Sequence, residues 1–345
     1  MSYRFCVLTI VGVLGVLAAA PSVRAANCAL RNPDRQIYEI FPDATSYRTI
    51  VANVDERVKP IIEAALGSAI SFNDLAKHTI YVVLKNDVPI GFIHPRSESG
   101  KHGTVELVWA LDLDLRIRDF RVQRCREKHG EVIASVTFRD ALIGHDHREI
   151  RELLLQGNKR ADIAKLGAPS EADSIVHTAV LCGAKTLIIT EAAFSEQVSP
   201  LRLLGNAHRF FPQASTVTKL GSPLGEIESN AVHALLGSPL RELSAESIVA
   251  ARALDAQGRL LGTVVRCRCK ALGSEVEMWC AVTSDGVLNQ IVPVGHADEG
   301  TRTALSALHE KTLNDLRKAS TDGEAAVRRF AVEILALLQV LGAGK

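Results

Sequence analysis

The chain has 345 residues, 47% of them hydrophobic, with 40 Lys and Arg against 39 Asp and Glu. That balance leaves no basic excess to release counterions from a nucleic acid and no polybasic cluster to hold an anionic membrane. The length suits two domains, each large enough to bury a core of its own.

The chain opens with "MSYRF", one positive charge, followed by an apolar run from Cys6 to Ala20. Val23 and Ala25 then stand at the spacing a signal peptidase reads. This predicts a secretory signal peptide over residues 1–25, cut after Ala25, and a periplasmic or otherwise exported protein with no direct membrane insertion after cleavage. An uncleaved anchor is the alternative, but the run falls short of the ~20 apolar residues a spanning helix needs. No later stretch reads as long and apolar enough to span.

Short helices are expected around Arg35–Ile40 and Val58–Leu66. Strands follow at His78–Leu84, Pro89–Ile93, Thr104–Asp112 and Arg116–Val122, marked by β-branched residues, aromatics and turn punctuation. Helices then take over, ending in a long apolar one from about Glu171 to Phe194. The order then repeats. Helix "EIESNAVHALL" precedes strands "SIVAARAL", "RLLGTVVRCRC", "EVEMWCAVT" and "VLNQIVPV", and two helices follow, Thr303–Lys318 and Glu324–Leu341.

The repetition extends to residues. "FPDAT" at Phe41 returns as "FPQAS" at Phe211, "AALGS" at Ala64 as "ALLGS" at Ala234, and "GTVELVW" at Gly103 as "GSEVEMW" at Gly273. All three pairs are 170 positions apart. This reads as an internal duplication with domain-sized copies, residues 28–199 and 200–345. The closing helices match at an offset of 153, so the first copy carries about 17 extra residues between Arg124 and Arg151. Strands joined by short turns pair antiparallel. The expected fold is α+β: two tandem related domains, each an antiparallel sheet with helices before and after it.

Two stretches of the first copy suit a ligand. In "SGKHGTVELVW", Gly100 and Gly103 flank His102 and leave the backbone bare where a strand begins. In "KLGAPSEAD", Gly167 and Ala168 are small, and Ser170 followed by Asp173 fits a capping box at a helix start. Such a start offers free N–H groups to an anion. Taken singly, they read as a hairpin tip and an ordinary capped helix.

Taken together, the order of "GKHGTVELVWALDLDLRI", "CREKHG" (Cys125–Gly130) and "DIAKLGAPS" (Asp162–Ser170) resembles the FMN-binding domain family. These are exported or membrane-tethered flavoprotein modules of bacterial electron-transfer complexes. The resemblance covers roughly Ile37 to Phe194 and repeats weakly from Phe211. It implies FMN held in the first domain, with Gly100, His102 and Gly103 near the ring and Gly167, Ala168 and Ser170 at the phosphate. It also implies periplasmic or membrane-bound redox partners. Many members attach FMN covalently through a threonine hydroxyl. Here Pro169 stands at that position, so the resemblance implies non-covalent flavin, with attachment at Ser170 the weaker alternative. In the second copy Asp322 occupies the aligned position and would repel phosphate. An electron carrier needs no acid–base residue, because the ring does the chemistry. The other class of function left open is a non-catalytic accessory or assembly subunit whose two flavin-type domains have lost the cofactor.

Other signals are weaker. No nucleophile elbow, Walker loop or zinc-protease motif occurs, and no catalytic or metal-ligating residue is assigned. "GHDH" (Gly144–His147) lacks a third ligand nearby. Cys125 lies between Arg124 and Arg126, which would lower its pKa. Cys267 and Cys269 share a strand face, and one of them can bridge to Cys280 on the next strand or all three can stay free.

Overall fold

The computed structural model describes residues 32–156, 166–220, 248–269, 276–295 and 299–312, with positions 230, 234, 297, 315, 329, 331–334 and 336–337. The signal segment, Asp162, Asp322, Gly273 and most of the second-copy helices "EIESNAVHALL" and Glu324–Leu341 lie outside the described residues.

Two five-stranded antiparallel meanders dominate. The first sheet contains β1 (Ser46–Asn53), β2 (Lys77–Lys85), β3 (Val88–Ser99), β4 (Thr104–Leu111) and β5 (Ile117–Arg124). The second contains β6 (Thr216–Lys219), β7 (Val249–Leu254), β8 (Leu260–Cys269), β9 (Val276–Thr283) and β10 (Leu288–Pro293). Strands are paired in sequence order in both. Helices lie before and after each sheet, so the fold is α+β as expected. The expectation of four strands per copy missed β1 and β6. Both are edge strands, where one side of the ladder is unpaired and the side chains stay mostly exposed or half-buried.

Helices α1 (Asp34–Ile40) and α2 (Lys59–Leu66) precede or interrupt the first strands. After β5 come α3 (Gly130–Ala134), α4 (Val136–Leu142) and α5 (His147–Gln156), then the long α6 (Asp173–Ala193). Helix α6 packs in the core of the first sheet's inner face, with Val105, Leu107, Trp109 and Leu111 of β4. Helix α1 and Phe41 cover the opposite face through Val83, Ile93, Val108 and Ala110. With both faces covered, seven of the eight β4 residues are buried, which explains its nearly continuous apolar run. The helical run Ser170–Ala193 is itself long and apolar enough to cross a membrane. That corrects the reading that no later stretch qualifies. Its apolarity serves burial, since most of its residues lie inside the first core.

Helix α7 (Ser195–Phe210) follows directly and contains Pro200, so positions 199–200 lie within a helix. Its second part repeats α1. Phe41 N–H donates to Ile37 at 2.9 Å and Phe211 N–H to Ala207 at 2.8 Å. Thr45 N–H then bonds Leu84 and Ser215 N–H bonds Leu254, at 2.8 and 2.9 Å. Gly91 leaves room for the Phe41 ring, and Gly262 does the same for Phe211. A Cβ on either glycine would collide with the ring and with a backbone carbonyl, of Leu111 or Val282.

The third of the matched islands needs correcting by one residue. The β3–β4 pairs Phe92↔Leu111, Arg96↔Leu107 and Ser97↔Glu106 correspond to the β8–β9 pairs Thr263↔Val282, Cys267↔Met278 and Arg268↔Glu277. These partners are 171 positions apart, not 170. The cause is the hairpin turn. Leu84 pairs with Pro89 across Asn86–Asp87, whereas Leu254 pairs with Leu260 across a turn one residue longer. A slip of one residue moves a side chain to the other face. Trp109 therefore faces α6, where Gly183 makes room for its ring. Trp279 faces α7 instead, in a core with Phe211 and Ala281. The structural counterpart of Trp109 is Cys280, on the other face.

At the chain's end, α8 runs over Glu299–Ser306 rather than beginning at Thr303 and reaching Lys318. Residues 307–312 leave the helix, and Lys311 bridges to Leu288 of β10.

Candidate functional site

The two glycine stretches fold as the sequence suggests but are not bare. Gly100 and Gly103 close the β3–β4 hairpin through a 2.8 Å bond from Gly100 N–H to the Gly103 carbonyl. The carboxylate of Glu127 lies against Gly100, where a Cβ would strike it. Glu127 also accepts the His102 N–H at 2.5 Å. Gly103 is less crowded, with the Arg126 Cβ 3.6 Å from where its own Cβ would stand.

At the other stretch, Gly167 has a left-handed φ of +66°, and the Thr137 methyl fills the space beside it, 2.5 Å from a notional Cβ. Ala168 is half-buried at the edge of the first core. Ser170 is exposed and opens a short 3-10 turn, Ser170–Ala172, before α6. The expected capping box is absent: Ala172 stands at the N-cap of α6 and supplies no side-chain cap, because the 3-10 turn delays the helix by one turn. Asp173 sits in the first turn of α6 with one buried oxygen lacking a hydrogen-bond partner. A carboxylate there already answers the positive end of the helix dipole and disfavours a second anion.

Both filling side chains come from one place. Glu127 and Thr137 lie within the segment Arg124–Arg151 that makes the first copy longer than the second. That segment folds as α3, α4 and the start of α5, and enters the first core through Ile133, Phe138 and Leu142. Cys125 at its start is half-buried, and burial pushes its thiol up rather than down, so the flanking arginines do not activate it.

A buried polar constellation was not visible in the sequence. On the inner face, Asp74, Arg96, Glu98 and Lys185 are 1%, 0%, 6% and 4% exposed, a neutral quartet with no face toward solvent. Asp74 is placed by the turn Phe72–Asp74, where it accepts the Ser71 hydroxyl at 2.7 Å. It pairs with Arg96 at 2.6 Å and Lys185 at 2.9 Å, and Lys185 also reaches Glu98 at 3.0 Å. Burial alone would raise the Asp74 carboxyl, but Arg96 and Lys185 outweigh it and hold it well below the usual range. His78 donates from Nε2 to the Asp74 carbonyl at 3.0 Å, while its Nδ1 faces Arg96 Nη1 at 3.3 Å. Arginine can only donate, so His78 is neutral with its proton on Nε2. Burial, then the Arg96 charge, pushes its pKa down to about 4. His94, fully buried beside Thr190 at 2.9 Å, is lowered too, first by burial and then by Arg96. Only residue spacing on β3 hinted at this: His94, Arg96 and Glu98 alternate onto one face, as strand geometry requires.

The remaining sequence signals have structural roles. Asp146 of "GHDH" caps α5 by accepting the Arg148 and Glu149 N–H groups. His147 pairs with Glu191 at 3.1 Å. Among the described residues no cluster of three His, Cys, Asp or Glu could hold a metal. Cys267 and Cys280 are buried free thiols on adjacent strands. Burial and the hydrogen bond between them raise Cys267. The Cys269 side chain lies outside the described residues.

No protein-family model matches the chain, and no curated protein does either.

Proposed function

We propose that this chain is a non-catalytic accessory subunit of an exported redox assembly, made of two modules on the FMN-binding plan, with the flavin cleft closed in the first. One observation carries this reading. The extra segment of the first copy supplies both side chains that occupy the glycine positions, Glu127 at Gly100 and Thr137 at Gly167. On this reading the carboxylates of Glu127 and Asp173 would oppose a flavin's ring oxygens and phosphate, which need donors. The buried quartet under α6 supports the same reading. Its charges satisfy one another and present no group to a substrate.

A second reading, non-covalent FMN in the first module, draws on the room beside Gly103 and on the flexibility of the Glu127 side chain. An absorption spectrum of the protein purified after export separates the two. The accessory reading expects no flavin bands, and a colourless pellet and supernatant after acid denaturation. A yellow supernatant would establish non-covalent FMN, and a yellow pellet covalent flavin; either overturns the proposal.

A further inference from the structure

A second polar site lies where the two halves meet, and the flavin question does not touch it. A cavity of about 110 Å³ opens between the first sheet, the end of α6, helix α7 and the second sheet. Five of its lining residues are arginines: Arg116, Arg148, Arg202, Arg266 and Arg268.

The four carboxylates of its wall are already engaged. Asp146 holds Arg116 at 3.3 Å and caps α5. Glu191 holds His147 at 3.1 Å, and Glu277 is shared between Arg266 at 3.0 Å and Arg268 at 3.7 Å. Asp114 accepts the Trp279 indole N–H at 2.8 Å. Of the five arginines, Arg202 and the exposed Arg148 have no carboxylate within ion-pair distance among the described residues. Arg202 is the half-buried one, and its Nε donates to the Leu113 carbonyl at 2.7 Å. Arg266 adds a buried Nε with no hydrogen-bond partner among the described residues. Burial, then the Arg266 charge, lowers the pKa of Arg202, partly offset by the nearby carboxylates of Asp114, Glu191 and Asp112. Two guanidiniums lining one cavity are an arrangement that a bound anion relieves, because planar forks match phosphate and carboxylate oxygens in pairs.

We propose that this interdomain cavity binds a small oxyanion of the phosphate type, gripped by Arg202 and Arg266, one from each side of the junction. The volume admits the anion itself, either as free phosphate or as the terminal phosphoryl group of a small ester. Since its walls come from both halves, occupancy ties the two modules together.

The test is isothermal titration calorimetry of the full chain with inorganic phosphate and, separately, glycerol phosphate, at constant ionic strength set with chloride. A saturable single site is expected for inorganic phosphate. Equal affinity for the ester identifies a phosphoryl-group site, and a preference for the free ion identifies a phosphate site; both sustain the proposal. Arg202→Leu should weaken binding by ~10-fold or more, the loss of charge-assisted hydrogen bonds. If that variant fails to fold, Arg266→Gln carries the test, with a ~10-fold loss expected while near-ultraviolet circular dichroism stays unchanged. No saturable heat with either compound, or unchanged affinity in the folded variant, would overturn the proposal.

Discussion

The two sheets share one strand order and one register, yet their inner faces are built from different chemistry. Where the first sheet places His94, Arg96 and Trp109, the second places Val265, Cys267 and Cys280. The first interior is ionic and closes on itself through Asp74 and Lys185. The second is apolar and sulfur-rich. The backbone plan therefore does not demand the charges. They are particular to the first half, and their value lies in fixing how α6 seats on the sheet. A buried ion pair is a weak source of net stability, but removing one partner leaves the other uncompensated.

That contrast sets the largest expected effect. Lys185→Met should destabilise the protein by about 3–5 kcal/mol in urea unfolding, because Asp74 and Glu98 lose their shared cation. Replacing Asp74, Arg96, Glu98 and Lys185 together by apolar residues of similar volume should be neutral or stabilising by about 1–4 kcal/mol. A quadruple variant as unstable as the single one would show that the quartet contributes more than mutual neutralisation.

Acid should separate the halves next. His78 has a folded pKa of about 4, below its ordinary 6.5. Between these values the unfolded chain binds a proton that the folded chain refuses, so stability is full above pH 6.5 and falls as pH drops toward 4. The loss from His78 is roughly 3 kcal/mol, and His94 acts in the same direction. Chemical denaturation across that window should show a slope that flattens in His78→Gln. An unchanged slope would mean that His78 is already charged in the fold.

Gly91→Ala and Gly262→Ala probe what the halves share. Each new methyl would meet a phenylalanine ring and a carbonyl, so each should cost about 1–3 kcal/mol in thermal or urea unfolding. A large cost at one and none at the other would break the equivalence of the two nooks. Smallest is Asp114→Ala, which removes the acceptor of the Trp279 indole and should cost about 1 kcal/mol. Trp279 emission should change while Trp109, held against Cys182 in the first core, keeps its own.

Much of this was legible beforehand. Phe41 with Phe211 and the β-branched strands announced a doubled α+β plan, because periodicity and turn residues are local signals. The one-residue slip was not, since two matching tryptophans are a stronger local signal than a turn that is longer by one position. Nor were β1 and β6, whose edge positions bury too little to leave an apolar pattern. Gly100, Gly103, Gly167 and Ser170 were found as places where the backbone is accessible. What covers Gly100 and Gly167, the side chains of Glu127 and Thr137, stands 27 and 30 positions away in sequence, and spacing does not reveal contact. The quartet draws on Asp74, β3 and α6, separated by up to 111 positions, and so stayed hidden for the same reason.

The proposed loss of flavin binding is best tested by titrating FMN into the purified chain and into Glu127→Gly, following flavin fluorescence. The account predicts no saturable binding to the natural chain and measurable binding once the carboxylate over Gly100 is gone. Saturable quenching by the natural chain, undiminished or unimproved by the substitution, would contradict it.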